Sequence, residues 1–392
     1  MQRALRRASR TALMWPEEAA AIQESGRSLT ELRSVGPFTA HFIAEWLRQQ
    51  PDPPVPPPLR DGFITYAHAR TVVDARPDWH AVARADHQMH TDETDGSSTI
   101  EEMAEAAGSI GRERIAITDH SKTLRITNGM DEVRLVAQGE HIAAVNERGS
   151  GTLVLRSIEM DITPEGASDM DPSVLARLDL VLGAFHSKLR LRDDQTERYF
   201  RGLENPDIHV LAHPRGRIYN FRAGLTCDWE RVARHAAETG TALEIDAYPD
   251  RQDHDVERLR IVAAERTWIS IGTDAHTPTE LVFLEIGIAA AILAGVSRDR
   301  ILNLLSAHEL AERVGLIRAT KKREIRGGLD MAGGKRERID TTPGKTGGSR
   351  FVRREAGGRF GVGQTSAGRS VAQDKRVKAK NTAPKGMKDR GD

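Results

Sequence analysis

RADHQMHTDETDG, residues 84–96, carries two histidines and four acidic residues in thirteen positions, at the end of an apolar run. A solvated charged loop has that composition, and so does the first part of a metal site whose other ligands lie farther along the chain. The sequence downstream decides between them. Apolar, β-rich runs recur at 82–87, 114–118, 153–158, 180–185, 208–212, 242–245 and 268–271. Helix-like segments at 100–107, 133–147, 229–238 and 256–266 separate them. Seven strands alternating with helices predict a parallel α/β fold, of a length that allows closure into a (β/α)7, TIM-like barrel.

On this reading the C-terminal end of nearly every strand delivers residues that bind metals. The first gives Gln88, His90 and Asp95, the second Asp119 and His120, the third Glu159, the fourth His186, the fifth His213 and the seventh Asp274 and His276. Taken singly, each is more often a hydrogen-bonded structural residue or a helix cap than a ligand. Recurrence on six of seven strands reverses that weighting, because strand ends in such a barrel converge on one face. Imidazole and carboxylate together suit Zn, Mn or Fe better than Mg or Ca. Two or three such divalent ions, bridged by a carboxylate such as Glu159 or Asp274, would polarise a phosphate and activate a water. Glu159, His120 and Asp274 are the candidate catalytic residues. Lys122, Arg125, Lys188 and Arg215 follow the strand ends and are candidates for binding substrate phosphate, with solvated loop charge as the competing reading.

Around this region the chain changes character. Residues 51–58, PDPPVPPP, hold six prolines in eight positions and predict a stiff extended linker. Before it, 29–47 reads as a short helix, a turn at Val35-Gly36-Pro37 and a second amphipathic helix, the outline of a helix-hairpin-helix with Ser34 where the first hairpin glycine is usual. Such hairpins contact DNA phosphates; packing against the main domain is the alternative. The formal charge is zero, with 57 basic and 57 acidic residues. From Lys321 onward there are 20 basic and 8 acidic residues, leaving 37 and 49 before it, so an acidic body precedes a basic tail. That tail is glycine-rich and poor in large apolar residues, which predicts disorder. The expected organisation is a hairpin module at 1–50, a linker and connecting helix at 51–82, the α/β domain at 83–318 and the tail at 319–392. A single cysteine, Cys227, excludes an internal disulfide and fits a reducing, cytoplasmic setting. The longest apolar stretch, 286–296, falls short of the roughly 20 residues that cross a bilayer and predicts a buried helix instead. Oligomeric state is not legible.

The stretches DHQMHTDETDG, AITDHSKTLRITNGMDE, SIEMDI, LVLGAFHS, LAHPRGR, ALEIDAYPDR and IGTDAHTPTEL occur in this order between residues 84 and 316. Together they resemble the PHP (polymerase and histidinol phosphatase) family, in particular the C-terminal PHP domain of bacterial family X DNA polymerases. The resemblance implies a distorted seven-stranded barrel holding up to three metals, often Mn or Zn, and hydrolysis of phosphomonoesters or DNA 3′ ends. It also implies His90, Asp95, His120, Glu159, His186, His213, Asp274 and His276 as ligands. The family's H-x-H opening has Gln88 at its first position here, a weaker neutral oxygen ligand. The residues before Arg84 are too few for a polymerase palm, so the expectation is a phosphoesterase detached from polymerase activity. Three functions stay open: a DNA 3′-end exonuclease or phosphatase of DNA repair, a small-molecule phosphatase of the nucleotide or histidinol phosphate type, and a non-catalytic DNA-repair scaffold with a degenerate metal site.

Overall fold

A computed structural model of the protein describes residues 2–149 and 151–332, together with the short stretches 337–340, 349–352 and 365–366. Residues 1–321 form one compact unit and 322–392 a second. In chain order the regular elements are α1 (Gln2–Thr11), α2 (Ala19–Glu24), α3 (Pro37–Gln49), α4 (Tyr66–Asp74), β1 (Ala85–Asp86), α5 (Ile100–Ser109), β2 (Arg114–Ile117) and α6 (Glu132–Arg148). They continue with β3 (Leu153–Arg156), β4 (Glu159–Asp161), α7 (Pro172–Leu175), β5 (Leu182–Ala184), α8 (Thr196–Glu204), β6 (Val210–Ala212), α9 (Trp229–Thr239) and β7 (Ala242–Asp246). α10 (Val256–Ala264), β8 (Ile269–Gly272), α11 (Leu284–Ala294) and α12 (Ala307–Ala332) complete the first set. Strands β9 (Glu337–Asp340), β10 (Ser349–Val352) and β11 (Thr365–Ser366) form an antiparallel sheet in the second unit.

Strands β1 to β8 are parallel neighbours in two sheets, β1-β2-β3 and β4-β5-β6-β7-β8. Backbone contacts cross both seams. His87 N donates to Ile271 O at 3.3 Å and Asp274 N to Gln88 O at 3.0 Å, while Glu159 N donates to Thr118 O at 3.2 Å. Ladder register then fixes what each face carries, because side chains alternate along a strand. Glu159 pairs with Leu182, Leu182 with Val210, Val210 with Ala242, and Glu244 with Ser270. One face therefore carries Glu159 level with Leu182, Val210 and Ala242, then Ala184, Ala212 and Glu244 one step farther along, and Asp246 toward the end of β7. The opposite face, with Met160, Leu211, Leu243, Ile245, Ile269 and Ile271, belongs to the main apolar core along with Val232 of α9, Leu259 of α10 and Ile288 of α11.

Local chemistry sets the helix starts. Thr99 and Glu102 form a capping box on α5, and Asp131, Asp228 and Asp255 cap α6, α9 and α10 through their carboxylates. α11 is apolar all round and buried, as its composition predicts.

The structure departs from the sequence reading in four places. Residues 82–84 belong to a 3-10 turn, Pro77–Arg84, so the first strand is only Ala85–Asp86. The run at 153–158 holds one strand, ending at Arg156, and a second begins just beyond it at Glu159: after Arg156 the chain leaves β2 and joins β5, with Asp179 N bonded to Arg156 O at 2.9 Å and Leu182 N to Ile158 O at 3.0 Å. Leu29–Glu31 makes one 3-10 turn in place of the hairpin's first helix, although Ser34 does adopt the left-handed backbone (φ 66°) that a hairpin glycine would take. α12 continues past residue 319, because Ile317 is buried and Lys321 donates to Asn205 O and Ile208 O at 2.8 and 2.7 Å. Apart from the rest of α12 and β9–β11, the basic segment lies outside the described residues. Among those residues, no helix is long and apolar enough to cross a membrane.

Gly272 closes β8 against the segment leaving β1. A Cβ there would stand 2.5 Å from Gln88 Cβ and 2.9 Å from Glu244 Oε1. Overpacking of this kind costs about 1–3 kcal/mol, so Gly272→Ala is expected to lower unfolding stability by about 2 kcal/mol in a urea titration. An unchanged midpoint would contradict this packing.

Candidate metal centre

Glu159 opens β4 and is fully buried. Four imidazoles reach its carboxylate: His213 Nε2 at 2.6 Å, His186 Nε2 at 3.0 Å, His90 Nε2 at 3.3 Å and His120 Nδ1 at 3.5 Å. Asp274 lies 3.0 Å from His90 Nε2. Asp95 lies 3.5 Å from His120 Nε2 and 3.6 Å from His276 Nε2. Three donor groups result: His90, Asp95, His120 and His276; His120, Glu159 and His186; and His90, Glu159 and Asp274. Two ligands each about 2.0–2.2 Å from one ion stand roughly 3.3–3.6 Å apart at tetrahedral angles, a spacing matched by His90 and His120 to Glu159 and by His120 and His276 to Asp95, while His213, His186 and Asp274 stand closer, at hydrogen-bond distance.

Further observations fit a cation. The rings of His120 and His276 stack on His90 at 4.4 and 4.5 Å between centroids, which brings three imidazoles together. The Nδ1 atoms of His90 and His213 are buried with no hydrogen-bond partner. His213 and Asp274 hold left-handed backbone angles, φ 25° and 52°, which non-glycine residues adopt rarely and chiefly where surrounding structure enforces them. Here His213 N is tied to Glu244 Oε2 at 2.8 Å and Asp274 N to Gln88 O.

All eight residues expected as ligands fall in this one cluster, and Gln88 joins them by donating from Nε2 to Glu159 Oε2 at 3.1 Å. His87 turns elsewhere, bonded through Nδ1 to Ser270 Oγ at 3.1 Å. Asp119 is a hub beneath the cluster, accepting from Thr91 N, Thr91 Oγ1 and Gln138 Nε2, and so shapes the loop that presents Asp95.

The cations nominated for phosphate divide. Arg125 and Lys188 are exposed and make no ion pair among the described residues. Lys122 is exposed and pairs with Glu132 at 2.6 Å. Arg215 needs correction. Its guanidinium is buried and committed to Asp255 at 3.0 Å and Ala223 O at 3.0 Å, holding the loop after β6 in place. Arg251 takes the position nearest the centre, 3.8 Å from Asp274 Oδ2 with 29% of its side chain exposed. Sequence reasoning missed Arg251, Glu244 and Asp246. The signal was the L-E-I-D alternation of β7, which turns both acids toward the face that carries Glu159.

No protein-family model matches the chain. Among curated proteins it is 32% identical over 277 residues to the DNA polymerase/3′-5′ exonuclease PolX of Bacillus subtilis, covering 70% of this chain and 46% of that protein. It is 27% identical over 216 residues to a probable phosphatase of Syntrophotalea carbinolica, covering 53% of this chain and 85% of the relative. These similarities agree with the resemblance to the PHP family carried by the sequence motifs. The chain spans less than half the length of PolX. A solved histidinol phosphate phosphatase of Lactococcus lactis, complexed with zinc, L-histidinol and phosphate, overlays on 55% of this chain and 95% of its own at 13% identity, with a TM-score of 0.41. A likeness that weak carries no weight for fold or ligand.

Electrostatics in this centre follow from burial and pairing. Burial opposes charge on His90, but hydrogen bonds to Asp274 and Glu159 outweigh it and hold the imidazole well above its ordinary pKa. His186 is likewise opposed by burial and lifted by Asp161 and Glu159 to about 9. Burial pushes the Glu159 carboxyl up, and His120 and His213 pull it further down, leaving it well below the usual range. Glu244 and Asp246 have no such cations in contact; burial, and then each one's acidic neighbours, drive both well above it.

Two consequences are measurable. Ligand nitrogens protonated at neutral pH must lose their protons to a metal, so calorimetry in buffers of different ionisation enthalpy is expected to show release of about two protons from His90 and His186. No proton release would contradict the pairing. In chelator, the raised His186 contributes stability that is complete below the ordinary imidazole pKa of about 6.5 and is lost as pH rises through about 9. The metal-free Tm is therefore expected to fall between pH 6.5 and 9, and a flat profile there would count against it.

Proposed function

We propose that this chain is a metal-dependent phosphoesterase acting on DNA 3′ ends, with its two seam-linked sheets forming a distorted TIM-like barrel. The observation that carries the reading is the sharing of Glu159 between two of the three donor groups. Similarity to the probable phosphatase and to PolX supports hydrolysis of phosphate esters; the DNA 3′ end is the finer claim, supported by the 3′-5′ exonuclease named in PolX and by the hairpin-like module. His90, Glu159 and Asp274 would hold one ion, Asp95, His120 and His276 a second, and His186 and His213 with Glu159 a third, Mn or Zn by the mixture of imidazole and carboxylate. Bound divalent ions would supply the charge that polarises a phosphate and acidifies water.

The protein's own groups do the rest. Glu159, kept ionised, joins the two donor groups and orients the His186 and His213 rings through their Nε2 atoms. Asp161, 3.2 Å from His186 Nδ1, orients that ring from behind. Arg251 offers a fixed cation beside the centre to a substrate phosphate. Gln88 replaces an imidazole with an amide whose Oε1 is buried and has no hydrogen-bond partner, a weak ligand for the group of His90 and Asp274.

The decisive assay follows labelled single-stranded DNA alongside p-nitrophenyl phosphate and histidinol phosphate, with Mn and with chelator. Mn-dependent shortening from the 3′ end is expected, with at least a thousandfold loss in Glu159→Ala and tighter metal binding in Gln88→His. Turnover of the small esters alone would replace this reading with that of a small-molecule phosphatase, which the relative from Syntrophotalea carbinolica favours. Activity gained only in Gln88→His would leave a scaffold with a degenerate site.

A further inference from the structure

A cleft of about 810 Å³ opens between α1 and the loop after β6, away from the donor cluster. Arg6 and Arg10 line it from one side, and Arg60, Tyr219, Phe221 and Asp250 from the other. Arg6 and Arg10 are one helical turn apart, are exposed and make no ion pair among the described residues. Arg60 spends only Nε, on Asn220 Oδ1 at 3.1 Å, which leaves its two terminal nitrogens for a ligand. Asp250 is the single acid among the lining residues, so the cleft is net cationic within an acidic body.

The walls are held in place. Asn220 N donates to Leu59 O and Tyr219 N to Asp250 O, both at 2.7 Å, which stitches the end of the proline-rich linker to the loop. On the other side Ala8 is buried, Thr11 Oγ1 donates to Arg33 O at 3.0 Å, and Arg70 donates to Pro16 O at 2.9 Å, anchoring the N-terminal helices to α4. Phe221 is 57% exposed and Arg190 stacks on its ring at 4.7 Å, an aromatic surface of the kind on which bases stack. Asp250 of the cleft wall precedes, in the chain, Arg251, the guanidinium beside Asp274.

From these observations we infer that the cleft binds the backbone phosphates of a single-stranded polynucleotide whose end lies at the metal centre. The inference rests on the polynucleotide reading above. Arg60, Arg10 and Arg6 supply cations along the cleft, Arg251 a cation beside the donor cluster, and Phe221 receives a base. A small phosphomonoester is too short to use this cleft.

The test measures binding of a labelled oligothymidylate to the full chain by fluorescence anisotropy, in chelator so that no turnover occurs, beside steady-state hydrolysis of p-nitrophenyl phosphate with Mn. The variants are R6E/R10E and R60E, with R6Q/R10Q as a milder pair, each checked by thermal unfolding. At low salt R6E/R10E is expected to weaken oligonucleotide binding at least tenfold with ester hydrolysis unchanged. Its plot of log K against log salt should flatten by about 1.4, at roughly 0.7 for each of two phosphates lost. Parental affinity and salt slope in both charge-reversal variants would overturn the inference. A parent that hydrolyses only small esters, while its variants lose oligonucleotide binding, would uphold the cleft and remove the 3′-end reading. Trimming of DNA with unchanged KM and unchanged binding in the variants would do the reverse.

Discussion

One buried carboxylate organises this molecule. Glu159 has no exposure to solvent, and an ion in that position costs several kcal/mol of hydration unless it is paired. Its partners come from four strand ends: His90 after β1, His120 after β2, His186 after β5 and His213 after β6. The charge cannot be satisfied unless those segments converge, so the cost of burying Glu159 selects against arrangements in which the sheets slip or separate. The same convergence assembles donor groups at metal-binding distances. Fold and site share one electrostatic condition.

The face bearing Glu159 shows how the strands divide that work. Leu182, Val210 and Ala242, buried and apolar, lie level with Glu159, and Glu244 and Asp246 follow farther along β7. Each buried acid on that face is either paired with imidazole, as Glu159 is, or driven toward its neutral form, as Glu244 and Asp246 are. Arg251 is pulled the other way: burial disfavours its charge, but Asp274 and Asp246 raise its pKa further still, so it remains a cation at the rim. The result is one ionised carboxylate ringed by imidazoles, two buried acids beside it driven toward neutrality, and a positive edge.

Much of this was legible from residue order. Histidine or acid placed just beyond an apolar run marks a strand end, and the repetition of that pairing in DHQMH, TDHS, FHS, AHP and TDAH located the cluster without coordinates. What escaped did so for physical reasons. Glu244 and Asp246 lie within a strand, where an alternating acid reads as a solvent-facing residue until register shows which way the face turns. Arg215 and Arg251 are alike in sequence, each after a proline in a loop; only packing tells that Asp255 consumes one guanidinium while the other stays at the centre. The split of β3 from β4 depends on which neighbour each half pairs with, a property of the assembled sheet. The hairpin-like module was legible at its left-handed Ser34 and its second helix but not at its first, where a single 3-10 turn suffices.

The central claim is that Glu159 gathers cations as well as imidazoles. Anomalous scattering from crystals of the full chain grown with Mn tests it most directly. The account requires peaks within coordination distance of Glu159, His90 and Asp274 and of His120, Asp95 and His276, and their loss in Glu159→Ala. A map with no anomalous density inside that ring, or with density bound only at surface carboxylates, would contradict it.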